Sequence, residues 1–297
     1  MKITLLGTGT PAPSLTRQSS GYIFEVGKDV IVMDHGPGAH QRLLEAGYSA
    51  NDVTHCFITH HHYDHMMDYP RLVLTRWDHG GHQNLPELKV FGPEPLKEIN
   101  NRFIGPNGAF SFDIASRRES PASLAVYKAR GGKGDRSYPN PELQEVKPGD
   151  VIEGQDWQIT VGPVRHVQPH LNCVSYRLQN DEGTVVYSGD NGGVYEPFVD
   201  FCKGANVLIL MNHFLSNTEL TQEYREMSGS HLDNAEIAKQ ADAKMLVLSH
   251  FLPSFDKVGV KEQMIVDMSG IYHGPIALGE DLMQIVLPLD KVELIAD

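Results

Sequence analysis

Seven consecutive residues, Thr59-His60-His61-His62-Tyr63-Asp64-His65, place four imidazoles and a carboxylate directly after the apolar run Cys56-Phe57-Ile58. Imidazole and carboxylate suit divalent transition metals, and a carboxylate beside a histidine lets one short loop serve two ions. Alternate residues of an extended segment point the same way, so His60 and His62 address one ion together while His61 points away. Asp64 and His65 follow where the chain turns and reach round to a second ion. A cluster that is internal, follows an apolar strand and contains an aspartate differs from a solvated histidine run.

The elements that must carry this loop are legible around it. Met1 to Leu6 reads as a first strand, and Gly7-Thr8-Gly9-Thr10-Pro11 as a turn-rich loop rather than a nucleotide loop. Gly21 to Val26 and Asp29 to Met33 form a hairpin around Gly27-Lys28. Short helices are predicted over His40–Ala46, Tyr69–Trp77 and Asn234–Ala241, with Pro70 at a helix start. Further strands are expected at Asp52–Ile58, from Leu88, within Val151–His166, at Cys173–Leu178, Thr184–Tyr187, Val207–Met211 and Met245–Leu248, and last at Gln284–Leu287. Residues 101–148, with Gly131-Gly132-Lys133-Gly134 and Pro139-Asn140-Pro141, read as an irregular exposed insertion. No linker or short tandem repeat divides the chain, so 1–297 is taken as one domain. Strands followed by strand–helix alternation, twice over, suit two packed sheets with helices outside.

The run His60-x-His62-x-Asp64-His65 resembles the signature loop of the metallo-β-lactamase superfamily of hydrolases. Four further stretches fit that family in the right order: Val30 to Asp34, Ile159 to His166, Val185 to Asp190, and Met245 to His250. The resemblance implies an α+β fold, a four-layer αββα sandwich of two mixed β-sheets flanked by helices. It implies that His60, His62 and His166 hold one divalent ion, that Asp64, His65 and His250 hold another, and that Asp190 bridges them. Two zinc ions are the expected cofactor, with manganese or iron as substitutes, and Asp64 joins the catalytic groups. Asp34 is expected to orient a ligand histidine. His170 competes with His166 for the third-histidine position; His166 is preferred because it ends its strand directly.

Ser230-His231-Leu232-Asp233 is similar to the loop that supplies a catalytic histidine in the ribonuclease Z branch, which would make His231 a proton donor. His213, in Met211-Asn212-His213-Phe214, stands where that branch carries a glutamate-containing loop, and is a further catalytic candidate at the pocket. Trp77, His170, Asn212 and Phe214 are weaker pocket candidates. Arg76 either holds an anionic substrate or serves structure, and His55, His79, His82 and His273 are read as ordinary histidines.

The reaction expected is attack on a small molecule by a metal-bound hydroxide, the substrate being an ester, lactone, phosphodiester or activated haloarene. One alternative is a tRNA 3′-end processing endonuclease of ribonuclease Z type. Another is a hydrolytic dehalogenase of chlorinated aromatics. Net charge of −13 repels a polyanion, and only a short hairpin joins His166 to Asp190, where the ribonuclease Z branch carries a tRNA-grasping arm. Nucleic acid is therefore an unlikely partner on this reading. The basic residues Arg117, Arg118, Lys128, Arg130, Lys133 and Arg136 read as a solvated charged loop. A redox di-iron site is disfavoured, because that branch replaces the second loop histidine by glutamate and His62 is retained. Three scattered cysteines, no signal peptide and no membrane-length apolar run suit the cytoplasm. A homodimer is common among relatives and is one option here; the residues themselves do not fix the oligomeric state.

Overall fold

Two seven-stranded sheets face one another in the computed structural model, in which residues 1–80, 83 and 85–289 are described. The first sheet uses β1 (Lys2–Gly7), β2 (Gly21–Val26), β3 (Asp29–His35), β4 (His55–Phe57), β5 (Lys89–Gly92) and β6 (Glu142–Glu145). The second uses β7 (Val151–Glu153), β8 (Gln158–Pro163), β9 (Val174–Asn180), β10 (Gly183–Tyr187), β11 (Val207–Met211), β12 (Met245–Ser249) and β13 (Ile276–Leu278). Strand β14 (Gln284–Val286) returns to the first sheet, giving the orders β14-β1-β2-β3-β4-β5-β6 and β13-β12-β11-β10-β9-β8-β7. Each sheet is mixed: β3 to β6 and β10 to β13 run parallel, whereas the hairpin-linked strands are antiparallel.

The apolar runs of the central strands are continuous because those strands are covered on both faces. Period-two alternation divides their side chains. Ile31, Met33 and Phe57 meet Tyr176, Val185, Tyr187, Val207 and Ile209 between the sheets. Val32, Cys56 and Ile58 face outward, under α1 (Ala39–Glu45) and α3 (Tyr69–Gly80). Leu208, Leu210, Leu246 and Leu248 face outward on the other side, where α7 (Glu196–Cys202), α9 (His231–Gln240) and α10 (Val260–Ser269) cover them. The result is the expected four-layer sandwich. A four-residue helix, α2 (Tyr63–Met66), and α8 (Gln222–Met227) sit at the edge where the site lies.

The stretch expected to be irregular is so mainly over 130–141, where no helix or strand forms. Residues 96–129 form α4 (Leu96–Ile104), α5 (Ser111–Glu119) and α6 (Pro121–Ala129), and β6 closes the sheet beyond them. These helices escape a reading by periodicity because they bury so little: α5 buries only Ile114 and α6 nothing. Ion pairs hold them instead. Arg117 Nη1 lies 3.2 Å from Asp78 Oδ2 at the end of α3, and Arg136, itself buried, bonds the same carboxylate.

Candidate metal centre

The ligand candidates gather at one edge, at the carboxyl ends of parallel strands, where such sheets bind ligands, and of the antiparallel strand β8. Asp34 ends β3, the 59–65 loop follows β4, His166 follows β8, Asp190 follows β10 and His250 follows β12. Two of these residues adopt a left-handed backbone, Asp34 at φ 53° and His250 at φ 63°, a conformation non-glycine residues keep only where their surroundings impose it. Gly189, at φ 58°, lets Asp190 approach the loop: a Cβ there would stand 2.6 Å from the Thr59 side chain.

The seven ligand candidates converge as two groups, His60, His62, His166 and Asp190, then Asp64, His65 and His250. In the first, His60 Nε2 lies 2.9 Å and His166 Nε2 3.4 Å from His62 Nδ1, and Asp190 Oδ2 is 3.4 Å from His166 Nε2. In the second, Asp64 Oδ2 lies 3.2 Å from His250 Nε2 and 3.5 Å from His65 Nε2. Asp190 Oδ1 completes it, 3.1 Å from His65 Nε2 and 3.5 Å from His250 Nε2. The two oxygens of Asp190 thus face different groups. His61 lies outside both.

The residues fit a cation. His65 Nε2 and Asp190 Oδ1 are buried and make no hydrogen bond of acceptable geometry despite their closeness. Buried polar atoms are almost always satisfied, so two orphans facing one another mark where a positive charge belongs. The charge balance agrees. Burial alone would depress the His65 imidazole, but Asp190, Asp64 and Asp34 around it hold its pKa well above the usual value. Burial likewise opposes ionisation of Asp190, yet His250, His65 and His166 keep it well below the carboxylate range. His60 is driven the other way, well below its ordinary value, by burial and then by the neighbouring His65.

Asp34 anchors the second group as expected. Its Oδ2 accepts hydrogen bonds from His65 Nδ1 (2.8 Å), Thr59 Oγ1 (2.8 Å) and Tyr187 OH (2.7 Å), and Oδ1 accepts the Thr59 backbone N–H at 2.8 Å. The bond from His65 Nδ1 turns Nε2 toward Asp64 and Asp190. Thr59 Oγ1 also lies 3.1 Å from His60 Nδ1, and His166 Nδ1 donates to the Met227 carbonyl at 2.5 Å. Thr59, Tyr187 and Met227 escaped the sequence reading. Tyr187 had a signal, standing three residues before Asp190 on a buried strand, but Met227 acts through its main chain and leaves none.

Other candidates divide. His213 is brought to the site: its Nδ1 lies 3.4 Å from His250 Nδ1, and burial, then His250, lowers its pKa to about 4. Asn212 is fully buried beside it, with both side-chain polar atoms unpartnered. Phe214 is buried against Tyr224 and Arg225. His170 is exposed and lies outside both groups, whereas His166 is a member of the first. Three residues make their polar contacts apart from the ligand groups. His231 Nδ1 accepts from Ser216 and its Nε2 faces Asp267 at 3.5 Å, so its polar contacts include no ligand residue. Trp77 donates to the Ser137 carbonyl and lies under the Arg136 guanidinium, away from the ligands. Arg76 is buried and donates to the carbonyls of Ala50, Asn51 and Pro86, a purely structural role. His55, His79 and His273 stand apart from both groups, and His82 lies outside the described residues. Accordingly, His170→Ala and His231→Ala are each expected to keep the metal content of the parent and kcat within about threefold. Elemental analysis beside steady-state kinetics checks both, and loss of metal from His170→Ala would reinstate it as a ligand.

A two-sheet sandwich whose strand ends gather histidines and aspartates into facing cation-binding groups defines a metal-dependent hydrolase. The chain belongs to the metallo-β-lactamase superfamily, whose family model matches residues 15–250. It is 28% identical over 291 residues to ribonuclease Z of Mycolicibacterium gilvum (strain PYR-GCK), with 96% of each chain covered. It is 27% identical to ribonuclease Z of Mycobacterium sp. (strain KMS), covering 96% of this chain and 95% of that one. Among solved structures, the metallo-β-lactamase fold protein YhfI from Bacillus subtilis superposes with a TM-score of 0.71 at 19% identity, covering 96% and 98% of the two chains. The short form of human tRNase Z gives 0.68 at 19% identity, covering 97% of this chain and all of that one. These relatives overturn the expectation that nucleic acid is an unlikely partner: the curated chains similar over nearly the whole length are named as ribonucleases. Net charge is a property of the whole surface and misleads where charge is unevenly distributed. Among the described residues no helix is long and apolar enough to cross a membrane.

Proposed function

We propose that this chain is a metal-dependent phosphodiesterase that cleaves RNA, a ribonuclease of the Z type acting near the 3′ end of tRNA precursors. The similarity to chains named ribonuclease Z over 96% of the sequence carries the reading, and the sharing of Asp190 between two ligand groups supports it. His60, His62, His166 and Asp190 Oδ2 would hold one divalent cation, and Asp64, His65, His250 and Asp190 Oδ1 a second. The nitrogen and oxygen donors suit zinc, with manganese or iron as substitutes. Bound there, a cation pair supplies Lewis acidity at the phosphoryl group and lowers the pKa of a shared water. The protein's own part is orientation. Asp34 fixes the His65 ring, the Met227 carbonyl fixes His166, and Asp64 borders the second group, where it can hold a proton of the attacking water. His213, in contact with His250, flanks the leaving oxygen in this reading, in preference to His231, the other catalytic candidate named from sequence.

The test is a tRNA precursor with a 3′ extension, incubated with protein of measured metal content. We expect about two equivalents of metal and a discrete endonucleolytic product. Activity should disappear with chelator and return with zinc. Turnover of an ester, lactone or haloarene, with the precursor left intact by the same metal-loaded sample, would replace this reading by that of a small-molecule hydrolase.

A further inference from the structure

Charge on this chain is divided sharply. Residues 96–138 carry eight Lys and Arg against four Asp and Glu, a balance of +4, so the remainder of the −13 chain carries −17. The excess is concentrated where α6 ends. Lys128, Arg130 and Lys133 are exposed and fall within six residues. Gly132 shapes this turn: the Tyr127 ring packs so closely that a Cβ would stand 2.4 Å from it, and Tyr127 OH donates to the Lys133 carbonyl. Beneath the turn, Arg117, Arg130 and Arg136 all converge on the single carboxylate of Asp78, which neutralises one of the three. The Arg136 guanidinium lies 4.0 Å from the Trp77 ring centroid, an arrangement that pins the turn to α3.

That helix links the basic region to the metal centre. Asp78 lies near its C-terminal end, and its first residue, Tyr69, follows His65 by four positions. The nine helical steps from Tyr69 to Asp78, at about 1.5 Å each, carry the chain about 14 Å along the helix axis. Between them runs a groove of about 580 Å³, bordered by Met67, Leu74, Phe103, Phe110 and Arg117. Phe110 is 40% and Phe112 88% exposed beside it. Positive charge with exposed aromatic rings is the combination that binds nucleic acid strands, by phosphate pairing and base stacking. A small substrate held at the metal centre would not span that length; a polynucleotide would.

We infer that the 96–138 helical insertion is the element with which this chain grips RNA, its Lys128–Lys133 turn pairing with the phosphate backbone while the scissile bond lies at the metal centre. The inference rests on the RNA-cleaving reading and assigns it a docking surface. It also gives a function to the basic residues first read as a solvated loop, and places the grip outside the short His166–Asp190 segment.

The experiment compares the parent with Lys128→Gln/Arg130→Gln/Lys133→Gln on two substrates, a tRNA precursor and bis(4-nitrophenyl) phosphate, with thermal unfolding as the check on folding. For the precursor we expect KM to rise about tenfold or more. The slope of log Kd against log salt should shrink by about 2, as three single-strand phosphate contacts would give. Cleavage of the small diester should stay unchanged. A second variant, Phe112→Ala, should weaken precursor binding without changing the salt slope, because stacking carries no counterion. A triple variant that binds precursor as the parent does, with the same salt slope, overturns the docking surface and leaves the ribonuclease reading standing. Parent protein that hydrolyses the small diester but neither binds nor cuts RNA overturns both. Adsorption of the parent turn to anionic lipid vesicles with precursor affinity unchanged in the triple variant would reassign the surface to a membrane and sink the proposal.

Discussion

Asp190→Ala is expected to lose metal from both ligand groups together and to cut hydrolysis by more than about 100-fold. The size follows from position. Residues that merely orient a ligand typically cost 10–100-fold in metal affinity or activity when changed, and Asp190 faces both groups, with one oxygen 3.4 Å from His166 Nε2 and the other 3.1 Å from His65 Nε2. Its removal strips away the carboxylate shared by His65, His166 and His250, and Asp64 remains beside only the second group. The side chain is small and lies at a strand end, so the sandwich should survive with circular dichroism unchanged. Metal analysis after dialysis, set beside precursor cleavage, reads the two effects separately. Full occupancy in the variant would refute the sharing.

Asp34→Asn should produce the second-largest effect, again as about 10–100-fold weaker metal binding, though Asp34 stands outside both groups. Oδ2 of Asp34 takes three hydrogen bonds, from His65, Thr59 and Tyr187, while Oδ1 takes one from the Thr59 backbone. An amide nitrogen in the Oδ2 position would meet three donors, and the flipped amide would meet a backbone N–H. The hydroxyls can turn to accept. The imidazole adapts only by moving its proton to Nε2, which then points a hydrogen at Asp190 instead of a lone pair. A melting temperature lowered by several degrees should accompany the loss, since a buried network left half satisfied costs about 1–3 kcal/mol per unpaired group. A variant with parental metal affinity and parental melting would show that the four bonds contribute nothing.

How much of this was legible in the residues varies by mechanism. The 59–65 loop announces itself because ligand-grade side chains are dense there, and the apolar runs before Asp34, Asp190 and His250 mark strand ends because both faces of those strands are buried. His166 could be preferred to His170 on proximity to its strand, and the fold agrees. The helices of 96–129 were hidden by the opposite circumstance: α6 buries no side chain, and polar or small residues with a glycine-rich turn look like a loop. His231 misled because Ser230 caps α9 through a bond from the Asp233 N–H, and the helix start then carries the ring toward Ser216 and Asp267. Nucleic acid was read as an unlikely partner because a net charge averages an acidic body and a basic insertion into one number.

The Asp34 carboxylate joins the sheets as well as the ligands. It belongs to β3 in one sheet, and Tyr187, which donates to it, belongs to β10 in the other. Tyr176 repeats the tie, its hydroxyl donating to the Ile58 carbonyl across the same interface. During folding, therefore, neither half can assemble a competent reaction centre before the halves have docked, and a nascent or partly opened chain is kept from capturing metal in a hydrolytically active geometry. The enzyme is switched on by completion of its own core.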